Sequence, residues 1–214
     1  MGKKLLFLVL IQIAYLLPTT VLAQCPSSVS ISATHVDKDG ATVTGTNICF
    51  GTEVKFTATP NGGSGYLYQW QKGGVDIGGA SNASYTSTDL SNGDEIRVII
   101  KSSAASSTCS TTSSVITMTV NPVLTPSVSI SASKTTICPG DNITFTANPV
   151  NGGTNASYVW KVNGSNVQTG ASNTYSTNAL TNNQSVTVSL TSNATCASTT
   201  PVTSSPIPIT VKSG

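Results

Sequence analysis

Five cysteines are the side chains of this 214-residue chain whose type and spacing most directly predict chemistry. The sequence contains two copies of one pattern about 90 residues apart. The first copy contains Cys49 and Cys109, the second contains Cys138 and Cys196, and Cys25 precedes both pairs. In an oxidising compartment cysteines are expected to pair, and an odd number leaves one thiol over. Because each copy contains one pair, the simplest scheme joins Cys49 to Cys109 and Cys138 to Cys196. The predicted chemistry is disulfide formation, with a structural role.

The single histidine, His35, falls in a segment, residues 34–43, that the second copy of the sequence lacks. Asp37 and Asp39 beside Gly40 resemble the start of a calcium-binding loop, but the later acidic ligands of such a loop are absent. Asp39-Gly40 is also a strong hairpin-turn signal. We therefore predict a turn here, with no metal and no cofactor.

Catalytic groups are not apparent in the sequence. The chain has no second histidine and no Gly-x-Ser-x-Gly context around its serines, so a hydrolase triad is not expected. The remaining acidic residues stand mostly at turns, where a carboxylate usually closes the turn. The sequence predicts a protein that is not an enzyme.

Tyrosines support an alternative function, because exposed aromatic rings on a β-sandwich can stack on sugar rings. Tyr85 and Tyr175 occupy matching positions in the two copies, as do Tyr68 and Tyr158, which favours packing within the module. Tyr66 alone has no counterpart, and a single ring makes a poor sugar platform. The alternative prediction is a carbohydrate-binding accessory module of a larger secreted protein.

These side chains must be positioned by two copies of one module. Val29-Ser30-Ile31-Ser32-Ala33 returns as Val128-Ser129-Ile130-Ser131-Ala132, and Tyr68-Gln69-Trp70 returns as Tyr158-Val159-Trp160. Apolar residues alternate with Ser, Thr and Asn, which is typical of strands with one buried face. Turn signals such as Asn163-Gly164 separate the runs. Each copy therefore predicts about seven short strands, the pattern of an immunoglobulin-like β-sandwich.

Two aromatic pairs are the predicted core. Trp70 follows Phe56, and Trp160 follows Phe145, by about 15 residues. This spacing resembles that from the strand-B cysteine to the strand-C tryptophan of immunoglobulin domains, with Phe in place of Cys. A buried Phe packed on Trp can fill the same volume.

That topology raises a second disulfide scheme. In an immunoglobulin-like sandwich, a cysteine before strand B and one after strand F lie at opposite ends, whereas a disulfide requires a Cα–Cα distance of roughly 4.4–6.8 Å. The alternative pairs Cys25 with Cys109 and Cys49 with Cys196, leaving Cys138 free. Domain 1 would then carry Cys25 because it has no preceding domain to supply a partner. Both schemes remain open from the sequence.

A family resemblance rests on the order of several short motifs. The second copy reads Ile137-Cys138-Pro139-Gly140, Ile143-Thr144-Phe145-Thr146-Ala147, Tyr158-Val159-Trp160-Lys161-Val162-Asn163-Gly164, Tyr175, Leu180, Thr191-Ser192-Asn193-Ala194-Thr195-Cys196 and Ile207-Pro208-Ile209-Thr210-Val211. The first copy shows the same order. The mature chain resembles the Ig-like and PKD-like tandem repeats of bacterial surface adhesins and gliding-motility-associated secreted proteins. The resemblance implies modules that space or display other parts of a surface protein.

The start of the chain predicts export. Lys3 and Lys4 precede an apolar stretch, and Val21-Leu22-Ala23 is typical of a signal-peptidase site. We predict a signal peptide over residues 1–23, domain 1 over 24–120, a Pro-containing linker over 121–126 and domain 2 over 127–214. A competing interpretation takes Leu22-Ala23-Gln24-Cys25 as a lipoprotein box, but Gln24 departs from its usual Gly or Ala. No later stretch is apolar and long enough to span a membrane.

Composition narrows the partners. Only 8% of the residues are charged and the net charge is +2, which does not predict a nucleic-acid surface. The two prolines of the linker predict limited swing between the domains. We predict a secreted or cell-surface, non-catalytic structural or adhesive repeat protein, a stalk or fibre segment. Its expected partners are other extracellular domains, copies of itself or surface glycans.

Overall fold

The computed structural model describes residues 25–37, 40–62, 64–103 and 109–212. The signal peptide predicted for residues 1–23 lies outside them, as do Lys38 and Asp39. Within the described residues every helix or strand assigned is a β-strand. The chain is an all-β protein of two immunoglobulin-like sandwiches, as the alternating sequence predicts.

Domain 1 is built from two facing sheets. Its strands are β1 (Ser28–Val36), β2 (Thr42–Thr44), β3 (Asn47–Cys49), β4 (Val54–Asn61), β5 (Tyr66–Lys72), β6 (Val75–Asp76), β7 (Ser84–Ser87), β8 (Glu95–Ser102), β9 (Ser110–Thr112), β10 (Ile116–Thr117) and β11 (Thr119–Asn121). One sheet has the order β2-β1-β4-β7 and the other the order β10-β8-β5-β6, with β9 also paired to β8. Strands β3 and β11 form a separate parallel pair.

Domain 2 repeats this arrangement. Its strands are β12 (Ser127–Ala132), β13 (Thr136–Ile137), β14 (Ile143–Val150), β15 (Ser157–Val162), β16 (Ser165–Gly170), β17 (Thr174–Thr177), β18 (Ser185–Thr191), β19 (Val202–Thr203), β20 (Ile207–Pro208) and β21 (Thr210–Val211). The sheets have the orders β12-β14-β17 and β16-β15-β18-β19, with β20 on β18, and β13 pairs in parallel with β21. The parallel pairs β3–β11 and β13–β21 are therefore equivalent.

Period-two burial produces the core of each sandwich. Along β8, Ile96, Val98 and Ile100 are fully buried while the residues between them are partly exposed. Along β18 the equivalent residues, Val186 and Val188, are also fully buried. Side chains at alternate positions point to one face of a strand, so each sheet presents one apolar face to the other.

The four predicted core aromatics are fully buried, and each pair is joined by a tyrosine. Phe56 stacks on Tyr85 with ring centroids 6.0 Å apart, and Trp70 lies 6.1 Å from both rings. The Trp70 indole N–H donates to the Asn82 carbonyl at 2.9 Å. Phe145, Trp160 and Tyr175 repeat this cluster in domain 2. Offset aromatic contacts of this kind add to the apolar burial.

The structure refines the start of the linker and shows the form of the extra segment of domain 1. The linker was predicted to begin at residue 121, but Asn121 belongs to β11, where it pairs with Cys49. The extra segment of domain 1 forms a hairpin extension: β1 continues to Val36 and pairs with β2, so His35 lies opposite Val43. The segment thus lengthens one sheet edge.

Candidate functional site at the domain junction

The disulfides follow the interlocked scheme. Cys25 is bonded to Cys109 within domain 1, with the two Cα atoms 5.5 Å apart. Cys49 of domain 1 is bonded to Cys196 of domain 2, with the two Cα atoms 5.4 Å apart. Pairing of Cys49 with Cys109, the simplest prediction from the repeats, is therefore not what the fold contains. Cys138 is exposed and, among the described residues, has no disulfide partner.

The parallel pair β3–β11 explains why Cys49 faces domain 2. Cys49 ends β3, and Asn121, its neighbour on β11, leads directly into the linker. The Phe50 N–H donates to the Asn121 carbonyl at 2.9 Å, and the Asn121 side-chain amide donates to the Ile48 carbonyl at 3.1 Å. Because the two strands run in the same direction, both reach the same end of domain 1. The linker and the disulfide therefore leave that end side by side.

The loop of domain 2 that carries Cys196 is anchored to a neighbouring loop. The Asn193 N–H donates to the Gly152 carbonyl at 3.1 Å, and the Ser192 hydroxyl donates to the Asn151 carbonyl at 2.6 Å. Cys196 itself has a positive φ of 62°, a conformation that non-glycine residues adopt uncommonly. Packing of this loop thus presents the Cys196 sulfur to the preceding domain.

The first residues of the two domains differ in how they contact the loop that carries the second cysteine, and Leu124 is the residue concerned in domain 2. Its N–H donates to the Cys196 carbonyl at 2.9 Å, and it forms a parallel bridge with Ala197. By the offset of the first strands, Leu124 is the counterpart of Cys25, which is bonded to Cys109. In domain 2 that position is apolar because the cysteine of the loop is already bonded to domain 1. Cys25 is thus bonded to the loop cysteine of domain 1, as Cys49 is bonded to the loop cysteine of domain 2.

A shallow groove lies at the end of domain 1 from which the chain passes into domain 2, and we call this end of a domain its exit. Its lining includes Phe50, Asn92, Val120, Pro122 and Val123. Phe50 and Val123 are about 60% exposed, which is unusual for large apolar side chains. Sequence reasoning missed this groove, although Phe50 directly follows Cys49 and stands where domain 2 has a proline.

Domain 2 repeats the groove at its own exit. Its lining includes Pro139, Leu180, Asn182, Val211 and Lys212. The equivalence extends to hydrogen bonds, because an asparagine carbonyl oxygen caps the last strand in both domains. These bonds are Val120 N–H to Asn92 Oδ1 at 3.1 Å and Val211 N–H to Asn182 Oδ1 at 3.0 Å.

The free thiol of Cys138 stands in a charged turn. The Asp141 carboxylate accepts from the Lys134 ammonium at 2.7 Å and from the Cys138 N–H at 3.1 Å. These two hydrogen bonds, the lysine first, lower the pKa of Asp141 below its ordinary value. The Asp141 carboxylate can therefore accept both hydrogen bonds at neutral pH, and the Cys138 side chain is exposed beside it.

The predicted tyrosine platform does not form an exposed face. Tyr66, Tyr68 and Tyr85 are partly buried and pack against the core of domain 1. Tyr158 is buried and Tyr175 is partly buried in domain 2. The Tyr66 hydroxyl also donates to the Gly62 carbonyl. Rings that pack against a core present little surface on which a sugar could stack.

The His35 segment has the contacts of a turn. The Asp37 carboxylate accepts the Ala41 N–H at 2.9 Å, and Gly40 adopts a φ of 83°. Such a side-chain contact is typical of aspartate at a tight turn. Over the described ranges of the chain, His, Cys, Asp and Glu side chains form no group of three or more suited to a metal ion.

Comparisons with known proteins add no closer assignment. No family model and no curated protein matches this sequence. Among solved structures, fibronectin(III)-like modules of Clostridium thermocellum CbhA are 18% identical over 78% of this chain and 90% of that chain, with a TM-score of 0.36. Domains from titin are 14% identical over 86% and 75% of the two chains, with a TM-score of 0.42. The first domains of the bacteriophage RB49 capsid protein Hoc are 15% identical over 86% and 59%, with a TM-score of 0.38.

The fold assignment therefore stands on the strand pairings of this chain. Two disulfides are typical of a chain that has left a reducing compartment. In the portion that the structure describes, no helix is long and apolar enough to cross a membrane.

Proposed function

We propose that this chain is an extracellular, non-catalytic repeat protein of the surface-adhesin type, acting as a stalk or fibre segment that separates or displays other domains. The observation that carries the proposal is the Cys49–Cys196 disulfide, which joins domain 1 to domain 2 by a second covalent connection beside the linker. A chain that only tethers two independent domains needs one connection. Two connections suit a chain that must keep its domains in register under load.

The path of force supports this role. Tension applied to domain 2 reaches domain 1 through the linker into β11 and through Cys49 into β3. Those strands are hydrogen-bonded in parallel, from Thr119 opposite Asn47 to Asn121 opposite Cys49. Load is thus divided between two adjacent strands, and no single strand is peeled from its sheet.

The sites of a binding module or an enzyme are weakly developed. The five tyrosines considered for a sugar platform are buried or partly buried against the two cores. The grooves at the domain exits are shallow and are lined mainly by apolar and amide side chains. We therefore favour the spacer over the carbohydrate-binding alternative.

Small-angle X-ray scattering of the oxidised chain tests the spacer directly. We expect an elongated particle about two domains long whose dimensions do not change with added glycans. The Cys49→Ser variant should give a broader distribution of dimensions, while the Cys25→Ser, Cys109→Ser variant should match the unmodified chain. A compact particle, or equal broadening in both variants, would count against the proposal. Binding on a glycan array would favour the carbohydrate alternative.

A further inference from the structure

The exit of domain 2 is built like the exit of domain 1, which is occupied. In domain 1, Cys49 is bonded to a loop cysteine of the next domain. In domain 2 the equivalent Cys138 follows the equivalent strand β13, which pairs in parallel with β21 as β3 pairs with β11. The same turn follows each cysteine, through Thr52 N–H to Cys49 carbonyl at 3.0 Å and Asp141 N–H to Cys138 carbonyl at 3.1 Å.

The groove beside each cysteine is conserved between the two exits in position and in backbone hydrogen bonding. Asn92 and Asn182 cap equivalent strands, and the Gly93 N–H bond to the Met118 carbonyl, at 2.9 Å, is matched by Asn183 to Ile209 at 3.0 Å. The groove of domain 1 is lined in part by the linker residues Pro122 and Val123. The groove of domain 2 is lined in part by Leu180 and Val211. The exit of domain 2 thus has the cysteine, the turn and the groove of an occupied junction.

The opposite end of domain 1, which contains Cys25 and Cys109 and which we call its entrance, provides the matching surface. Cys109 is the counterpart of Cys196, and its carbonyl accepts the Ser102 N–H at 3.3 Å. Its sulfur is bonded to Cys25, whereas the sulfur of Cys196 is bonded to Cys49 of the preceding domain. Cys25 is exposed, whereas Cys109 is 9% exposed, so the cysteine fixed in the fold is Cys109.

We propose that the exit of domain 2 is a covalent docking site for the entrance of domain 1 in a second copy of this chain, joined through Cys138 and Cys109. The inference rests on the proposed function as a fibre segment and specifies how segments extend. Each new junction would repeat the pairing already present between Cys49 and Cys196.

The joining step is a thiol–disulfide exchange and needs no external oxidant. The Cys138 thiol of one copy loses its proton, and the thiolate attacks the Cys109 sulfur of the next copy. The Cys109–Cys138 bond forms as the Cys25–Cys109 bond breaks. Cys25 leaves as a thiolate and takes up a proton. One disulfide is exchanged for another, so the number of oxidised sulfurs does not change.

The test uses the exported, oxidised chain incubated without oxygen near pH 8, where a larger share of a thiol is ionised. Samples are quenched with an alkylating reagent, separated on non-reducing gels and mapped by mass spectrometry. We expect covalent multimers that increase with protein concentration, with Cys109 linked to Cys138 and Cys25 alkylated. The Cys138→Ser variant should remain monomeric.

A matched control separates docking from random exchange. The variant Cys138→Ser with Asn166→Cys keeps one exposed thiol but places it on the edge strand β16, away from the groove. Its multimers should be far fewer than those of the unmodified chain, with no Cys109 linkage. Circular dichroism confirms that each variant is folded.

Three results would overturn the docking site: Cys138 fully alkylated in monomers, Cys138 linked only to Cys138, or equal multimers from the Asn166→Cys control. The scattering experiment on single chains is independent of this outcome. An elongated monomer without Cys109–Cys138 linkage would retain the spacer and remove the extension site.

Discussion

Single residues decide how each loop is shaped at the domain junction. Gly153 and Gly140 have the same φ of 83°, but their surroundings differ. A Cβ at Gly153 would contact the side chain of Asn193 and lie 2.6 Å from the Ala194 nitrogen, whereas a Cβ at Gly140 has nothing within 4 Å. The first glycine is needed for a close approach of two loops as well as for its backbone conformation.

We therefore expect Gly153→Ala to destabilise domain 2 by more than about 2 kcal/mol and Gly140→Ala by about 1 kcal/mol. The extra loss comes from displacing the Asn193 loop, which carries Cys196. Thermal unfolding followed by circular dichroism measures both variants. Equal losses would show that backbone strain alone decides the effect and that the loop contact contributes nothing.

The Asp94 carboxylate is a charged acceptor of hydrogen bonds in a turn of domain 1. Its carboxylate accepts the Ser91 N–H at 2.9 Å and the Lys72 ammonium at 3.0 Å. Burial raises the pKa of Asp94, but these hydrogen bonds more than offset it and hold the pKa below its ordinary value. The same bond to Asp94 is the main cause that raises the pKa of Lys72. Domain 2 has Gln184 at this place, whose oxygen accepts the Thr181 N–H at 2.8 Å.

The sign of the pH effect follows from the lowered pKa of Asp94. A carboxyl group with a folded pKa below its unfolded value of about 3.9 stabilises the fold above that pH, and the stabilisation is lost as the pH falls through the folded pKa. Asp94→Gln should keep the turn hydrogen bond and flatten this acid dependence. Because the pair is partly exposed, the change should be below about 1 kcal/mol.

Hydrogen exchange of β8 peptides at pH 7 and at acid pH measures this effect in domain 1 alone. Parallel acid destabilisation of the variant and the unmodified chain would assign the effect to other groups. On the basic side, the raised pKa of Lys72 contributes stability below its unfolded value of about 10.4, which is lost above the folded pKa.

At the scale of elements, the hairpin extension of domain 1 is separable from the sandwich. All three residues of β2 are exposed, and Val36 is 58% exposed. Domain 2 connects β12 to β13 without such a hairpin. The extension therefore adds little buried apolar area.

We expect that replacing residues 34–45 by the Ser-Lys dipeptide that domain 2 has at Ser133-Lys134 changes the free energy of unfolding by less than about 1 kcal/mol. Differential scanning calorimetry measures the change. A loss of several kcal/mol, or a failure to fold, would mean that the extension supports the β1–β4 pairing.

The Cys49–Cys196 and Cys25–Cys109 disulfides should stabilise different parts of the chain. Cys49→Ser should lower the combined stability of the two domains by about 2–4 kcal/mol and separate their unfolding transitions, because the bridge spans both domains. Cys25→Ser with Cys109→Ser should lower only the transition of domain 1. Calorimetry distinguishes the two patterns, and a Cys49→Ser effect confined to one domain would contradict the interdomain assignment.

Sequence patterns predicted the elements better than the junction. Alternation identified the strands, and the spacing of Phe145 and Trp160 identified a core cluster, because burial with period two is a local property. The disulfide pairing was not determined by the sequence, since it depends on which strand ends meet in space. Phe50 and the groove beside it had no periodic signal. Their role follows only from the parallel pairing of β3 with β11.

Over the whole molecule, the described cysteines form two disulfides and leave Cys138 unpaired. The entrance is closed by the Cys25–Cys109 bond, and the exit presents Cys138 beside a groove. Between them, Cys49–Cys196 doubles the covalent connection. The proposed stalk function requires that tension pass through both connections between the domains, and the proposed docking site would repeat this junction between copies.

Non-reducing peptide mapping of the oxidised chain measures the disulfide connectivity on which the proposed function depends. The interlocked pairing predicts peptides that link Cys49 to Cys196 and Cys25 to Cys109 in the monomer. Peptides that link Cys49 to Cys109 and Cys138 to Cys196 would contradict it, because the domains would then be independently bridged and joined by the linker alone.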